Sequence, residues 1–199
     1  MASDIRKRAE AEEYLKVVPA LGLQITSNGS TAALFTKLTG ATQAALESNW
    51  SKGGIWTTCN EFVGHYGATL GSKDYLGRFD IDAQLKKLGK SIAWAPRTDD
   101  SRPKYGDIFL VRSATSLHMG ISLNFEGDIW NTAESGQGGP KAKCDIIKRK
   151  RGNYADRNHI GWVDLELYFD TTAQLSPVPE WLAGWWKVIW RSDINSINV

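Results

Sequence analysis

The spacing of hydrophobic positions changes period about halfway along the chain. From Ser3 to about Ala20, Ile5, Ala9, Tyr14, Leu15 and Val18 recur at helical spacing among charged residues, and Leu21-Gly22 closes the stretch. Ser27-Asn28-Gly29-Ser30 breaks the chain and caps a second helical stretch, Thr31 to about Glu47, which Gly40 weakens. Ser51-Lys52-Gly53-Gly54 reads as a flexible loop leading to a helix from Cys59 to about Leu70, and a shorter helix follows at about Ile81 to Leu88. Beyond a polar loop from Thr98 to Lys104, the alternation becomes that of strands. Ile108 to Arg112, His118 to Phe125, Ile129 to Glu134, Asp145 to Lys150 and Trp162 to Phe169 are β-rich runs separated by turn residues. Helices first and antiparallel strands afterwards predict an α+β fold.

Composition limits this to one substantial core, since the chain has 199 residues of which 42% are hydrophobic. Its natural divisions are a helical extension over 1–50, a mixed domain over 51–170 and a tryptophan-rich segment over 171–199 packed on that domain. Basic and acidic residues number 24 and 22, so overall charge points to neither nucleic acid nor a membrane surface as partner. The start, Met1-Ala2-Ser3-Asp4-Ile5-Arg6-Lys7-Arg8, lacks the apolar run of a secretory signal, which predicts synthesis in the cytoplasm. The longest strongly apolar stretch, Trp181 to Trp190, falls far short of the roughly 20 residues a spanning helix needs, so no membrane insertion is expected. Two cysteines, Cys59 and Cys144, make no disulfide framework and show no zinc-ligand spacing, and neither metal nor cofactor is expected. A bridge between them is the weaker reading, because a cytoplasmic origin argues against it.

Candidate chemistry centres on Cys59. Thr58-Cys59-Asn60-Glu61 fits a capping box, which places the cysteine in the first helical turn. Amides pointing out of that turn, with the positive end of the helix dipole, favour the thiolate, the reactive form. Cys59, Phe62, Val63, Tyr66 and Leu70 fall on one stripe, so the sulfur faces the sheet rather than open water. The plain alternative is a small buried cysteine on an apolar helix face. Position at a helix start, after a glycine loop and with a suitable histidine elsewhere, favours catalysis.

That histidine is His118. Alternation puts His118, Gly120, Ser122 and Asn124 on one face of its strand and Met119, Ile121, Leu123 and Phe125 on the other. The small neighbours on the histidine's face predict that a helix can approach there. His65 lies on a different side of the Cys59 helix, and His159 sits in a charged loop; both are expected to be structural or solvated, with His159 a distant second base. An imidazole base needs a third group to orient it. If Glu126-Gly127-Asp128 forms the hairpin loop, Glu134 shares the face of His118 and Gly136 lies opposite it. If only Gly127 and Asp128 turn, Asn131, Ala133, Ser135 and Gln137 share that face, with Gln137 or Asn131 as orienter.

In order, Thr58-Cys59-Asn60-Glu61-Phe62-Val63, Gly106-Asp107-Ile108-Phe109, His118-Met119-Gly120-Ile121 and Asn131-Thr132-Ala133-Glu134-Ser135-Gly136 resemble the CHAP and NlpC-type cysteine amidases and peptidases. These small papain-like domains occur in phage lysins, cell-wall remodelling enzymes and type VI secretion effectors. The resemblance covers about Ile55 to Asp170. It implies a papain-like domain with a Cys59-His118-Glu134 triad, since a glutamate orients the histidine in CHAP domains, and acyl transfer without a metal. Two positions depart from the pattern. Thr58 stands where CHAP domains commonly carry glutamine and NlpC-type domains aspartate, which leaves the side-chain oxyanion donor unassigned. Gly136 stands where CHAP domains tend to place asparagine.

Two features lie outside this constellation. Trp181, Trp185, Trp186 and Trp190 could stack on sugar rings, but packing as a terminal β-ribbon is favoured, because exposing tryptophan is costly. Lys141, Lys143, Lys148, Arg149, Lys150 and Arg151 form a basic cluster, read first as a solvated edge strand and otherwise as a holder of anionic wall polymer or substrate carboxylates. The expectation is therefore a monomeric peptidoglycan amide hydrolase with a peptide substrate, exported to the periplasm or cell wall of a target bacterium as an effector or lysin. A secretion machine and an immunity protein would then be its partners. The alternatives are a protease, deamidase or acyltransferase acting on a target-cell protein, and a non-catalytic glycan-binding protein in which Cys59 is core.

Overall fold

A computed structural model describes residues 2–11, 22–98, 101–112 and 116–170. The predicted C-terminal tryptophan ribbon and the second half of the first predicted helix lie outside the described residues. Helix α1 (Ala2–Ala11) buries Ile5 and Ala9. A short strand β1 (Gln24–Thr26), unforeseen in the sequence, precedes helices α2 (Ala32–Thr39) and α3 (Gln43–Ser51). The single helix expected over Thr31–Glu47 is thus two. Gly40 takes a left-handed φ of 73° as the C-cap of α2, and Thr42 then caps α3 by accepting the Ala45 amide at 3.2 Å.

Helices α4 (Cys59–Thr69) and α5 (Ile81–Lys87) stand where the hydrophobic pattern predicts them. A 3₁₀ turn (Ser91–Ala93) leads into a second short strand, β2 (Trp94–Pro96), also unforeseen. Strands β3 (Ile108–Arg112), β4 (Leu117–Glu126), β5 (Ile129–Glu134) and β6 (Ile146–Asn153) follow. The run expected as one strand over Trp162–Phe169 divides into β7 (His159–Val163) and helix α6 (Leu165–Phe169). Asp164 causes the change, because its carboxylate accepts the amides of Glu166 and Leu167 and caps the helix.

All seven strands form one antiparallel sheet in the order β1-β6-β5-β4-β3-β7-β2, so the α+β arrangement predicted from the pattern is present. One face, carrying Ile108, Met119, Ile121, Ala133 and Ile147, packs with Phe62, Val63 and Tyr66 of α4 in the main core. Each fully buried side chain of this size contributes about 1.5–3 kcal/mol. The other face carries a smaller cluster of Phe109, Trp130, Tyr154 and Trp162. The sequence predicted that a helix approaches the small residues beside His118, but α4 packs on the opposite face; a methyl added at Gly120 would lie 2.5 Å from the Phe109 ring, which already occupies that space.

The β4–β5 hairpin decides which side chains share the face of His118. Glu126 pairs with Ile129 and Phe125 with Trp130, so Gly127 and Asp128 form a two-residue turn, with Gly127 at φ 62°. Between Phe125 and Ser122 the register shifts, and from there Ser122 pairs with Thr132 and Ile121 with Ala133. The bulge puts one extra residue into β4 and reverses the parity set by the turn. Of the two registers weighed from sequence, the turn follows one and the residues nearer His118 follow the other. Thr132 and Glu134 consequently lie on the face of Ser122, Gly120 and His118.

Candidate active site

Cys59 is the first residue of α4 and only 2% exposed. Phe62, Val63, Tyr66 and Leu70, the stripe it shares, are buried with it. Cys59 lies close enough to His118 for the sulfur to influence the protonation of the imidazole. The sulfur is also 3.4 Å from Asn60 Oδ1, and since a thiol has one proton it serves the amide oxygen or the imidazole, not both. On its far side, His118 Nε2 lies 3.0 Å from Glu134 Oε2. With Nε2 committed to the carboxylate, Nδ1 is the nitrogen left for the sulfur.

Glu134 is fully buried, and its two oxygens are divided between partners. Oε1 accepts from Thr132 Oγ1 at 2.5 Å and Arg157 Nη1 at 2.6 Å, while Oε2 faces His118, Lys150 Nζ at 3.2 Å and Gln137 Nε2 at 3.3 Å. Burial alone would raise this carboxyl, but the His118 hydrogen bond and the charges of Arg157, His118 and Lys150 hold it well below the usual carboxylate range. Burial likewise opposes a charge on His118. The hydrogen bonds and charges of Cys59 and Glu134 outweigh it and lift the imidazole to about 9, so it carries its proton at neutral pH.

Of the other orienters weighed from sequence, Gln137 joins the network and Asn131 does not. Gln137 Nε2 comes within 3.3 Å of the same His118 nitrogen that faces Glu134. Both are donors there, so the carboxylate, not the amide, accepts from the imidazole. Asn131 turns to the opposite face and donates to Glu126 at 2.9 Å. His65 is exposed on α4. His159, expected in a charged loop as a structural or solvated residue, lies on β7 and is buried among Trp130, Tyr154 and Trp162, the structural alternative.

The expected capping box is absent. Thr58 is the N-cap of α4, but its side chain takes no helix amide. Its hydroxyl donates to Asp145 Oδ2 at 2.8 Å and therefore accepts from Ser135 Oγ at 2.5 Å, while its own amide donates to Asp145 Oδ2 at 2.9 Å. Glu61 binds the Trp56 indole at 3.0 Å. This Thr58-Ser135-Asp145 cluster, fully buried, fastens the start of α4 to the end of β5 and so brings the cysteine to the two strand residues. Gly136 permits the approach: it has φ 74°, and a methyl there would sit 3.4 Å from Cys59 Cβ and 3.2 Å from Thr57 Oγ1. Arg157, Lys150, Ser135 and Asp145 were not singled out as site residues in the sequence. They lie between 16 and 87 positions from the side chains they bind, and only tertiary pairing reveals them.

Among the described residues no group of histidine, cysteine, aspartate and glutamate is arranged to hold a metal ion, and no helix is long and apolar enough to cross a membrane. Both cysteines are free thiols. Comparison of the chain with family models, curated proteins and solved structures returned no match.

Proposed function

We propose that this protein is a cysteine-dependent amide hydrolase of the CHAP and NlpC kind, acting on the peptide part of peptidoglycan. The observation that carries the reading is a buried cysteine at a helix start, electrostatically coupled to an imidazole whose Nε2 is held 3.0 Å from a buried carboxylate. Sulfur, imidazole and carboxylate stand in the order in which nucleophile, base and orienter act.

In the proposed reaction, the Cys59 thiolate attacks the amide carbonyl and forms the carbon–sulfur bond as the carbonyl π pair moves to oxygen. The amide of Cys59, at a helix N-terminus, is a donor for that oxyanion. Thr58 is not a side-chain donor, because its single proton is given to Asp145. Collapse of the intermediate breaks the carbon–nitrogen bond, and His118 gives its proton to the leaving amine. Water, deprotonated by the now neutral His118, then attacks the thioester and releases a carboxylic acid and the thiolate. Glu134 keeps Nε2 of the ring occupied so that Nδ1 faces the sulfur throughout.

Purified peptidoglycan incubated with the protein and with Cys59→Ala, followed by mass spectrometry of released fragments, tests this. The expected result is new amine and carboxylate ends that appear only with Cys59 present. Modified target-cell proteins with intact peptidoglycan would support the protease, deamidase or acyltransferase reading instead, and binding without turnover in either variant a glycan-binding protein.

A further inference from the structure

The basic residues of β6 do not form a uniform edge. β6 pairs with β5 from Lys148 to Asn153 and with β1 at Ile146, Ile147 and Lys148, so Lys148 lies inside the sheet with Gln24 on one side and Glu134 on the other. Protection of a free edge, the expectation from sequence, therefore does not account for it. By alternation Lys148 and Lys150 share the face of Glu134 and Thr132, whereas Arg149 and Arg151 point to the opposite face. Arg151 is paired there with Glu126.

The catalytic face thus has an excess of positive charge. His118, Arg157 and Lys150 all converge on the single carboxylate of Glu134. Lys148 is half-buried and two residues from Lys150 on the same side of the strand, and its side chain has no hydrogen bond or ion pair with the described residues. Like charges at neighbouring positions on one face of a strand repel, and among the described residues no carboxylate forms an ion pair with Lys148. We propose that Lys148, with Lys150 beside it, is a subsite for a carboxylate of the substrate, which selects acidic over amidated peptides at this site. The inference rests on the hydrolase reading and specifies its substrate as an acidic peptide.

The test uses two probes, disaccharide-peptide fragments of peptidoglycan with free stem-peptide carboxylates, and the same fragments with those carboxylates converted to amides. Calorimetric titration into the Cys59→Ala protein should show the acid bound about 10-fold more tightly than the amide, the effect of one charged hydrogen bond. Adding Lys148→Met should close the gap, and adding Lys148→Arg should keep most of it. Equal affinities in Cys59→Ala, no binding of either probe, or a gap that survives Lys148→Met would overturn the subsite. Loss of the gap in Lys148→Arg would overturn it too, by assigning the effect to shape rather than charge. Turnover by the parent protein is read separately: acid selectivity without fragment release would sink the hydrolase and leave the carboxylate subsite standing.

Discussion

His118 and His159 are near neighbours on one face of one sheet, each directly across from Val111 on an adjacent strand, and their surroundings drive them in opposite directions. Burial works against a charge on both. At His118 a sulfur and a carboxylate overcome it and raise the ring to about 9. At His159 the ring meets Trp130, Tyr154 and Trp162, its Nδ1 donates to the Arg157 carbonyl at 3.0 Å, and its Nε2 is buried without a partner. Burial there wins, helped by the nearby charges of Arg97 and Arg157, and the ring is held below its ordinary 6.5. The contrast teaches that position on the sheet does not set the charge of an imidazole; the groups that meet the ring do.

The largest break in this comparison comes from His118→Gln, which keeps a polar group but removes the proton carrier. Turnover of peptidoglycan should fall by about 10⁴-fold while the folded state persists, measured by fragment release and by thermal melting. Next is Glu134→Gln, which makes His118 resemble His159 by taking away its anion. A loss of about 10²- to 10³-fold is expected. On the proposed mechanism the alkaline limb of the rate profile follows loss of the His118 proton at about 9, and in this variant it should move toward the ordinary 6.5. A limb that stays in place would dissociate Glu134 from the imidazole.

Arg157→Met should act mainly on stability. It removes the 2.6 Å partner of a carboxylate that is 0% exposed, and breaking a buried pair costs about 3–5 kcal/mol. Chemical denaturation measures this, and a change below about 1 kcal/mol would mean that Lys150 and Thr132 suffice. The smallest effect belongs to His159→Phe, for which turnover should stay within about twofold. Its signature lies in the pH dependence of stability. A depressed histidine contributes stability above 6.5 that is lost as pH falls through its folded value, whereas His118 contributes stability below 6.5 that is lost as pH rises through about 9. Denaturation across this range should show the acid-side loss reduced in His159→Phe and the alkaline-side loss unchanged.

Much of the frame was legible in the chain because it rests on periodicity. The helix at Cys59 and the strands at Ile108 and Ile129 follow from apolar spacing alone. Cys59, His118 and Glu134 were legible as candidates by residue type and order, and the structure brings the three together. What was not legible depends on contacts remote in sequence. Thr58 followed three residues later by Glu61 has the form of a capping box, yet a carboxylate 87 positions away takes the threonine. Asp164 turns an apparently continuous strand into a helix with two hydrogen bonds. His159 sits among charged residues in the chain but among aromatic rings in the fold, because the partners of a strand are not written beside it.

The bulge in β4 makes the trio depend on a count as well as on chemistry. Shortening the segment between Ser122 and Phe125 by one residue would leave every side chain of the trio in the chain and put His118 and Glu134 on opposite faces of the sheet. Any attempt to transplant this hairpin into another scaffold, or to trim it, must carry its odd residue along, for the strand's length is part of its reagent.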